Sequence, residues 1–256
     1  MNDALRFEWV RIRTLPSTWW LIASALLLGL AMALSVAVAT HDEPRGHEVV
    51  GVVLTGGGAN VPVPLIAVFL AVIGIFATGH EYRYGTIQPT LTTVPRRSTL
   101  LTAKLVVLAA TALVVGLVSL LLNVVVALLV WGDLPGLTDW PLNEVLPGHV
   151  VLVLLWTVLG AALGQLFRGV PSALVVILVV PLVVEQLIFS LSFVPMLDWL
   201  APVVAFLPFT AGQQLVHLGG VVYGQFFDRW VSGGVFAAFV GIVLAVAWTR
   251  FNRRDA

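Results

Sequence analysis

Glu185 is the residue whose position most demands a chemical reason. It stands inside the apolar run Pro171–Val194, four residues after Pro181. A carboxylate at that depth costs several kcal/mol unless it is paired, protonated or facing water. Pro181 withholds a backbone N–H, which opens the helix locally and gives polar groups a place to meet. Asn123 and Gln165, on other apolar runs, are the expected neighbours. Two roles stay open for Glu185: a working carboxylate, or a protonated clasp hydrogen-bonded across a helix interface.

The remaining reactive side chains do not assemble into a catalytic group. The five histidines, His41, His47, His80, His149 and His217, stand mostly in loops or at the ends of apolar runs. No His-Glu-x-x-His pattern and no paired carboxylates within the runs are present. A phosphate-cradling P-loop ends in Gly-Lys, whereas the lone lysine, Lys104, follows Ala103. The chain is therefore not expected to be an enzyme by itself, nor to hold a metal or cofactor. It has no cysteine, which removes disulfides and thiolate sites.

The elements that position these residues follow from composition. Of 256 residues 59% are hydrophobic and 10% charged, which points to an all-α integral membrane protein forming a single domain over 1–256. Crossing roughly 30 Å of hydrocarbon takes about 20 helical residues. Six stretches reach that length: Thr18–Thr40, Pro62–Gly79, Leu105–Trp131, His149–Phe167, Pro171–Val194 and Ser232–Arg250. Continuous Leu, Val and Ala runs lack the alternation of a membrane β-barrel. Arg11, Arg13 and Ala37-Val-Ala39 around the first run resemble a signal peptide. That run exceeds the roughly 7–15 residues of a signal h-region, so a retained span is expected.

Charge orients the spans. With the N-terminus in the cytoplasm, 11 of the 13 Lys and Arg residues fall inside, and only Arg45 and Arg229 fall outside. Both termini are then cytoplasmic. Trp199–Phe227 lacks Lys, Arg, Asp and Glu but is broken by Pro202, Pro208, Gly212 and Gly219-Gly220. A seventh crossing there would reverse Arg250, Arg253 and Arg254, so short outer re-entrant helices are expected instead. Ahead of the first span, Leu5, Trp9 and Ile12 recur at helical spacing with Arg6 and Arg13 off that stripe. This predicts an amphipathic helix lying along the inner membrane surface. Gly160 and Gly164 form a small-xxx-small pair that would let another helix approach, and so offer a dimer face.

Between the second and third spans lies a polar, Pro-punctuated segment, Glu81–Arg97, closed by Lys104. Glu81-x-Arg83-x-Gly85-Thr86-Ile87, then Leu91, Pro95-Arg96-Arg97 and Lys104, closely resembles the corresponding loop of ABC-2 type transporter permeases. The opening Phe7–Thr14, the closing Arg253–Ala256, the six-span layout and the broken outer segment before the last span are also similar to that family.

The resemblance implies a bacterial plasma-membrane permease subunit of an ATP-driven exporter. A separate ATP-binding-cassette subunit would hold ATP and Mg, and a second permease chain, identical or paralogous, would complete the pair. The loop is expected to form a cytoplasmic coupling helix, with Glu81, Tyr82, Arg83, Tyr84, Gly85, Thr86, Ile87, Arg96 and Arg97 meeting the ATPase. Tyr82, Tyr84 and Ile87 offer apolar surface to a groove and the arginines pair with acidic groups or lipid phosphates. Glu81 is expected to pin the loop to the N-terminal helix. Spans two and five would be the central pair, with Phe69, Ile73, Phe76, Glu185 and Phe189 along the translocation path. Such an apolar wall suits an amphipathic or hydrophobic cargo: a drug, a peptide antibiotic or a lipid-like compound. Readings from other classes are a membrane scaffold or sensor that binds a cytoplasmic partner, and a proton-coupled transporter centred on Glu185.

Overall fold

The computed structural model describes residues 2–59, 61, 63–93, 97–134, 136–218 and 227–253. Among the described residues every regular element is helical. α1 (Asn2–Thr14) ends before an extended Leu15, and Pro16 opens α2 (Pro16–Ala39), since a proline in the first turn forfeits only an N–H that has no intrahelical partner. A short α3 (His47–Leu54) leads to α4 (Leu65–Arg83). α4 stops where Gly85 takes a left-handed φ of 66°, which glycine adopts without steric cost. α5 (Ile87–Thr93), α6 (Arg97–Trp131) and α7 (Leu142–Phe167) follow.

The fifth long helix is composite. α8 (Val170–Val179) passes through a π-helical stretch, Val180–Glu185, into α9 (Gln186–Leu191). Pro181 lies in that stretch, where the wider winding accommodates a ring that a regular turn would exclude. A 3₁₀ stretch, Pro195–Leu200, then α10 (Ala201–Val204) and α11 (Pro208–Gln213), precede the last helix, α12 (Arg229–Arg253).

Six helices are long and apolar enough to cross a membrane: α2, α4, α6, α7, the composite Val170–Leu191 and α12. They coincide with the six expected spans, although two start seven or more residues earlier. α6 begins at Arg97 rather than Leu105 and has 35 residues, roughly 50 Å at 1.5 Å per residue, so part of it extends beyond a bilayer core. α7 begins at Leu142 rather than His149 and carries Pro147 inside it. The hydrogen bond lost there falls in the second turn, close to a helix end, and the helix continues through it.

Burial divides these helices into a core pair and a surrounding ring. In their most apolar windows α4 and α7 are each 61% buried, against 17% for Val170–Leu191. The reason is glycine. A Cβ on Gly160 would lie 2.1 Å from the Ala71 carbonyl oxygen, and one on Gly74 2.4 Å from that of Thr157. Gly164 would likewise meet the Thr78 hydroxyl at 2.3 Å. The two backbones therefore run in near contact, and Thr78 donates across to the Ala161 carbonyl at 3.1 Å. Gly160 and Gly164 are thus occupied within this chain by α4 and are not free to form a dimer face. Within the chain span two packs most closely on span four, and the start of span five also meets it, where a Cβ on Gly79 would lie 3.0 Å from Val170. Outward-facing Leu27, Leu121, Leu129 and Ile242 on α2, α6 and α12 leave large apolar surfaces, a liability in water and the ordinary condition of a helix facing lipid.

Candidate functional site

The last turn of α4 carries the segment singled out by the sequence, and its residues part in two directions. Glu81 turns inward and is 2% exposed. It accepts a hydrogen bond from Lys104 Nζ at 2.9 Å and pairs with Arg11. Lys104, itself buried, also donates to Glu8 Oε1 at 2.8 Å and to the Ala77 carbonyl at 2.9 Å. All three ammonium protons thereby have acceptors. Arg11 sits one turn from Glu8 on α1, with its nearer nitrogen 3.6 Å from Glu8 Oε2. Two carboxylates and two cations compensate one another, which is what buried ions require.

Tyr82, the next residue round the same turn, is held by a different helix. Its hydroxyl accepts from Gln165 Nε2, and the Arg168 guanidinium lies 5.4 Å from its ring centre. Arg168, just past the end of α7, has a left-handed φ of 53°. The final turn of α4 is therefore gripped by α1 and α6 through Glu81 and by the end of α7 through Tyr82.

Beyond this mount Arg83, Tyr84, Gly85 and Thr86 are exposed. Ile87 turns back inward, 6% exposed, into a cluster with Leu100, Leu101 and Phe251. Arg97 donates to the Phe251 carbonyl at 3.0 Å and lies 5.9 Å from that ring. The loop's return end is thus tied to α6 and α12. Arg96 lies outside the described residues. Of the nine loop positions expected to meet a partner, Arg83–Thr86 present themselves outward, whereas Glu81 and Ile87 are committed to the interior. Charge compensation draws in the first, and apolar burial draws in the second.

On α1 the inward face is Ala4, Glu8 and Ile12, with Leu5 packed beside it. Trp9 is 52% exposed and lies on the outer face with Phe7 and Val10. The expected stripe of Leu5, Trp9 and Ile12 is thus split. The pull of Lys104 on Glu8 sets the helix rotation, a signal that an apolar pattern does not contain.

The path residues are also divided. Ile73 is 3% exposed, and Phe69 and Phe76 pack against the same core. Phe76 stacks on His80 with ring centres 4.3 Å apart. The small crevice beside Ile73 and Phe76 is walled by Ile12, Leu15 and Leu21, from α1 and the start of α2, and not by the fifth span. Phe189 meets Phe193 edge-on at 5.2 Å.

Glu185 is 2% exposed. One carboxylate oxygen accepts from the Phe209 N–H at 3.0 Å; the other accepts from the Thr210 N–H at 2.6 Å and the Thr210 hydroxyl at 2.8 Å. The expected neighbours are elsewhere. Asn123 donates to the Leu54 carbonyl at 2.9 Å, and Gln165 serves Tyr82. Glu185 satisfies the free N–H groups at the start of α11, where no intrahelical acceptor exists. Of its two open roles this geometry favours the clasp.

Fold and site together define an all-helical, multi-pass membrane protein. No known protein-family model matches the chain, and no curated protein matches it either.

Proposed function

We propose that the chain is the transmembrane permease subunit of an ATP-driven exporter in a bacterial plasma membrane. It works as a pair of permease chains, with both termini in the cytoplasm. A separate ATPase engages the loop after α4, and nucleotide-driven movement of that loop switches the spans between inward- and outward-facing states. The cargo is amphipathic or hydrophobic. Short re-entrant helices, α10 and α11, close the outer side, and α5 belongs to the coupling loop.

One observation carries this reading: Arg83–Thr86 stands exposed on a turn held by different helices, α1 and α6 through Glu81 and the end of α7 through Tyr82. A topology-fixing basic loop needs no such mount. A lever does, because a force applied to its tip reaches the spans only through a stiff base. The three donors on Glu185 speak against the proton-coupled alternative, since they hold the carboxylate in one fixed task.

The reading requires an ATP-binding-cassette subunit, expected in a neighbouring reading frame, and the test is co-purification with it in nanodiscs. Wild type is expected to bind it stoichiometrically and to support ATP turnover. Arg83→Glu reverses an exposed charge and touches no core contact, so it loses binding while unfolding at an unchanged temperature. Gly85→Pro, which cannot adopt the positive φ, uncouples in the same way. Full binding and transport in both variants would remove the coupling role and leave the scaffold reading.

A further inference from the structure

Three helices far apart in sequence meet at one buried point. Glu8 and Arg11 come from α1, Glu81 from α4 and Lys104 from α6. Lys104 is 1% exposed and Glu8 is 0% exposed, while the Arg11 side chain keeps 19% exposure, so the cluster is dry around Lys104 and opens to the surface only at Arg11. Ion pairs in such a place are poor adhesive, because desolvation consumes most of what their attraction returns and apolar packing usually does as well. What they provide is direction: each donor fits one acceptor geometry, whereas apolar side chains slide. Lys104 touches α4 twice, at the Ala77 carbonyl and at the Glu81 carboxylate one turn later. Two points on one helical turn fix both its axial height and its rotation. α1 gives way to α2 through an extended Leu15 and Pro16, with the Trp19 indole donating to the Arg13 carbonyl at 2.8 Å, so the angle of α1 is set jointly by the first span and by the ion cluster.

We propose that Glu8, Arg11 and Lys104 are positioning residues for the docking loop. Acting through Glu81, they set the direction in which Arg83–Thr86 leaves α4 and make α1 part of the same lever. This rests on the permease reading for its partner, but the geometry it asserts is a property of the chain alone. Glu8→Gln is the informative variant. It removes one charge without shortening the side chain and leaves the contacts of Lys104 with Glu81 and Ala77 intact. α1 then keeps the Arg11–Glu81 pair but holds Lys104 only through a neutral amide oxygen, so its angle to the loop loosens although the spans stay packed.

The chain has no cysteine, so spin labels at Asp3→Cys and Thr86→Cys report the placement of α1 against the loop directly. In nanodiscs without any ATPase, wild type gives one narrow distance distribution and Glu8→Gln a broad one. With the ATPase added to the unlabelled proteins, which keep Asp3 and Thr86, Glu8→Gln binds roughly tenfold more weakly although every exposed loop residue is unchanged. Glu8→Asp keeps the charge on a shorter arm and restores most of the narrowing and the affinity, which a packing defect would not do. A narrow distribution in Glu8→Gln overturns the proposal. So does a broad distribution with undiminished ATPase binding, because the cluster would then hold α1 without positioning the loop. Absence of binding by wild type would instead overturn the permease reading on which the proposal depends.

Discussion

The two ends of the bundle handle buried polarity in opposite ways. At the end carrying α1 and the loop, charged side chains bind one another: Glu8, Arg11, Glu81 and Lys104 link regular helices whose backbones are already satisfied. At the far end, apart from the Arg45–Asp133 and Arg229–Glu144 pairs, polar side chains bind backbone. Asn123 reaches the Leu54 carbonyl, Trp131 that of Ala37, Gln213 that of Gly58, and Arg229 those of Gln214 and Leu215. Glu185 accepts the N–H groups of Phe209 and Thr210. The difference follows from helix length. The long helices at the first end need orientation, while α3, α11 and the turns beside them at the other expose unpaired backbone groups that an apolar setting does not tolerate. One end uses side chains to fix angles, and the other uses them to complete the main chain.

The largest expected effect comes from Lys104→Met. It leaves Glu8 and Glu81 buried with only Arg11 between them, and loss of one partner from a buried ion cluster costs about 3–5 kcal/mol. Thermal unfolding in detergent should show the steepest fall of any single change here. Replacing Glu8, Arg11, Glu81 and Lys104 together by leucine should recover most of that loss, since the cluster's one backbone acceptor is the Ala77 carbonyl. A Lys104→Met protein as stable as wild type would mean that the cluster carries no structural weight.

Glu185→Leu separates the two ends, because here apolar replacement cannot rescue. The N–H groups of Phe209 and Thr210 would stay buried without an acceptor, at about 1–3 kcal/mol each. Hydrogen exchange at those two amides should rise in Glu185→Leu and less in Glu185→Gln, whose carbonyl oxygen can still accept from one of them. Unchanged exchange in Glu185→Leu would show that α11 is held by its apolar contacts, with Phe209 against Trp156 and Phe236, and not by the carboxylate.

Much of this contrast is written in residue types, and part of it is not. The spans are legible because an uninterrupted apolar run of about 20 residues matches the thickness of a bilayer core and overshoots most soluble helices. Glu185 is legible as the odd residue within such a run. Its partners are not. They are main-chain N–H groups, which nearly every residue carries, so side-chain polarity points wrongly to Asn123 and Gln165. Gly160 and Gly164 signal a close approach without saying to which helix. Glu8 and Lys104 are 96 positions apart, and no local periodicity couples them. Yet a lone lysine inside an apolar helix and a glutamate between Ala4 and Ile12 on α1 are the visible halves of that pair. The loop's exposed tip is legible from its polarity, whereas the inward turn of Glu81 and Ile87 depends on contacts from α1 and α12.

Asn123→Leu is the smallest of these tests and sets the scale for the rest. The Leu54 carbonyl lies in the last turn of α3, where the helix itself supplies no donor, and Asn123 provides one from α6 at 2.9 Å. One neutral interhelical hydrogen bond within a membrane is worth about 0.6 kcal/mol on average, because the loosened chain finds other partners. The leucine also fills nearly the same volume, although Gly56 leaves little slack: a Cβ there would lie 3.1 Å from the Asn123 amide nitrogen. Denaturant titration should therefore place Asn123→Leu well above Glu185→Leu in stability, in proportion to the backbone groups each one strands. Equal losses would mean that the far end is limited by packing around Gly56 and not by main-chain satisfaction, and the division between the two ends would lose its physical basis.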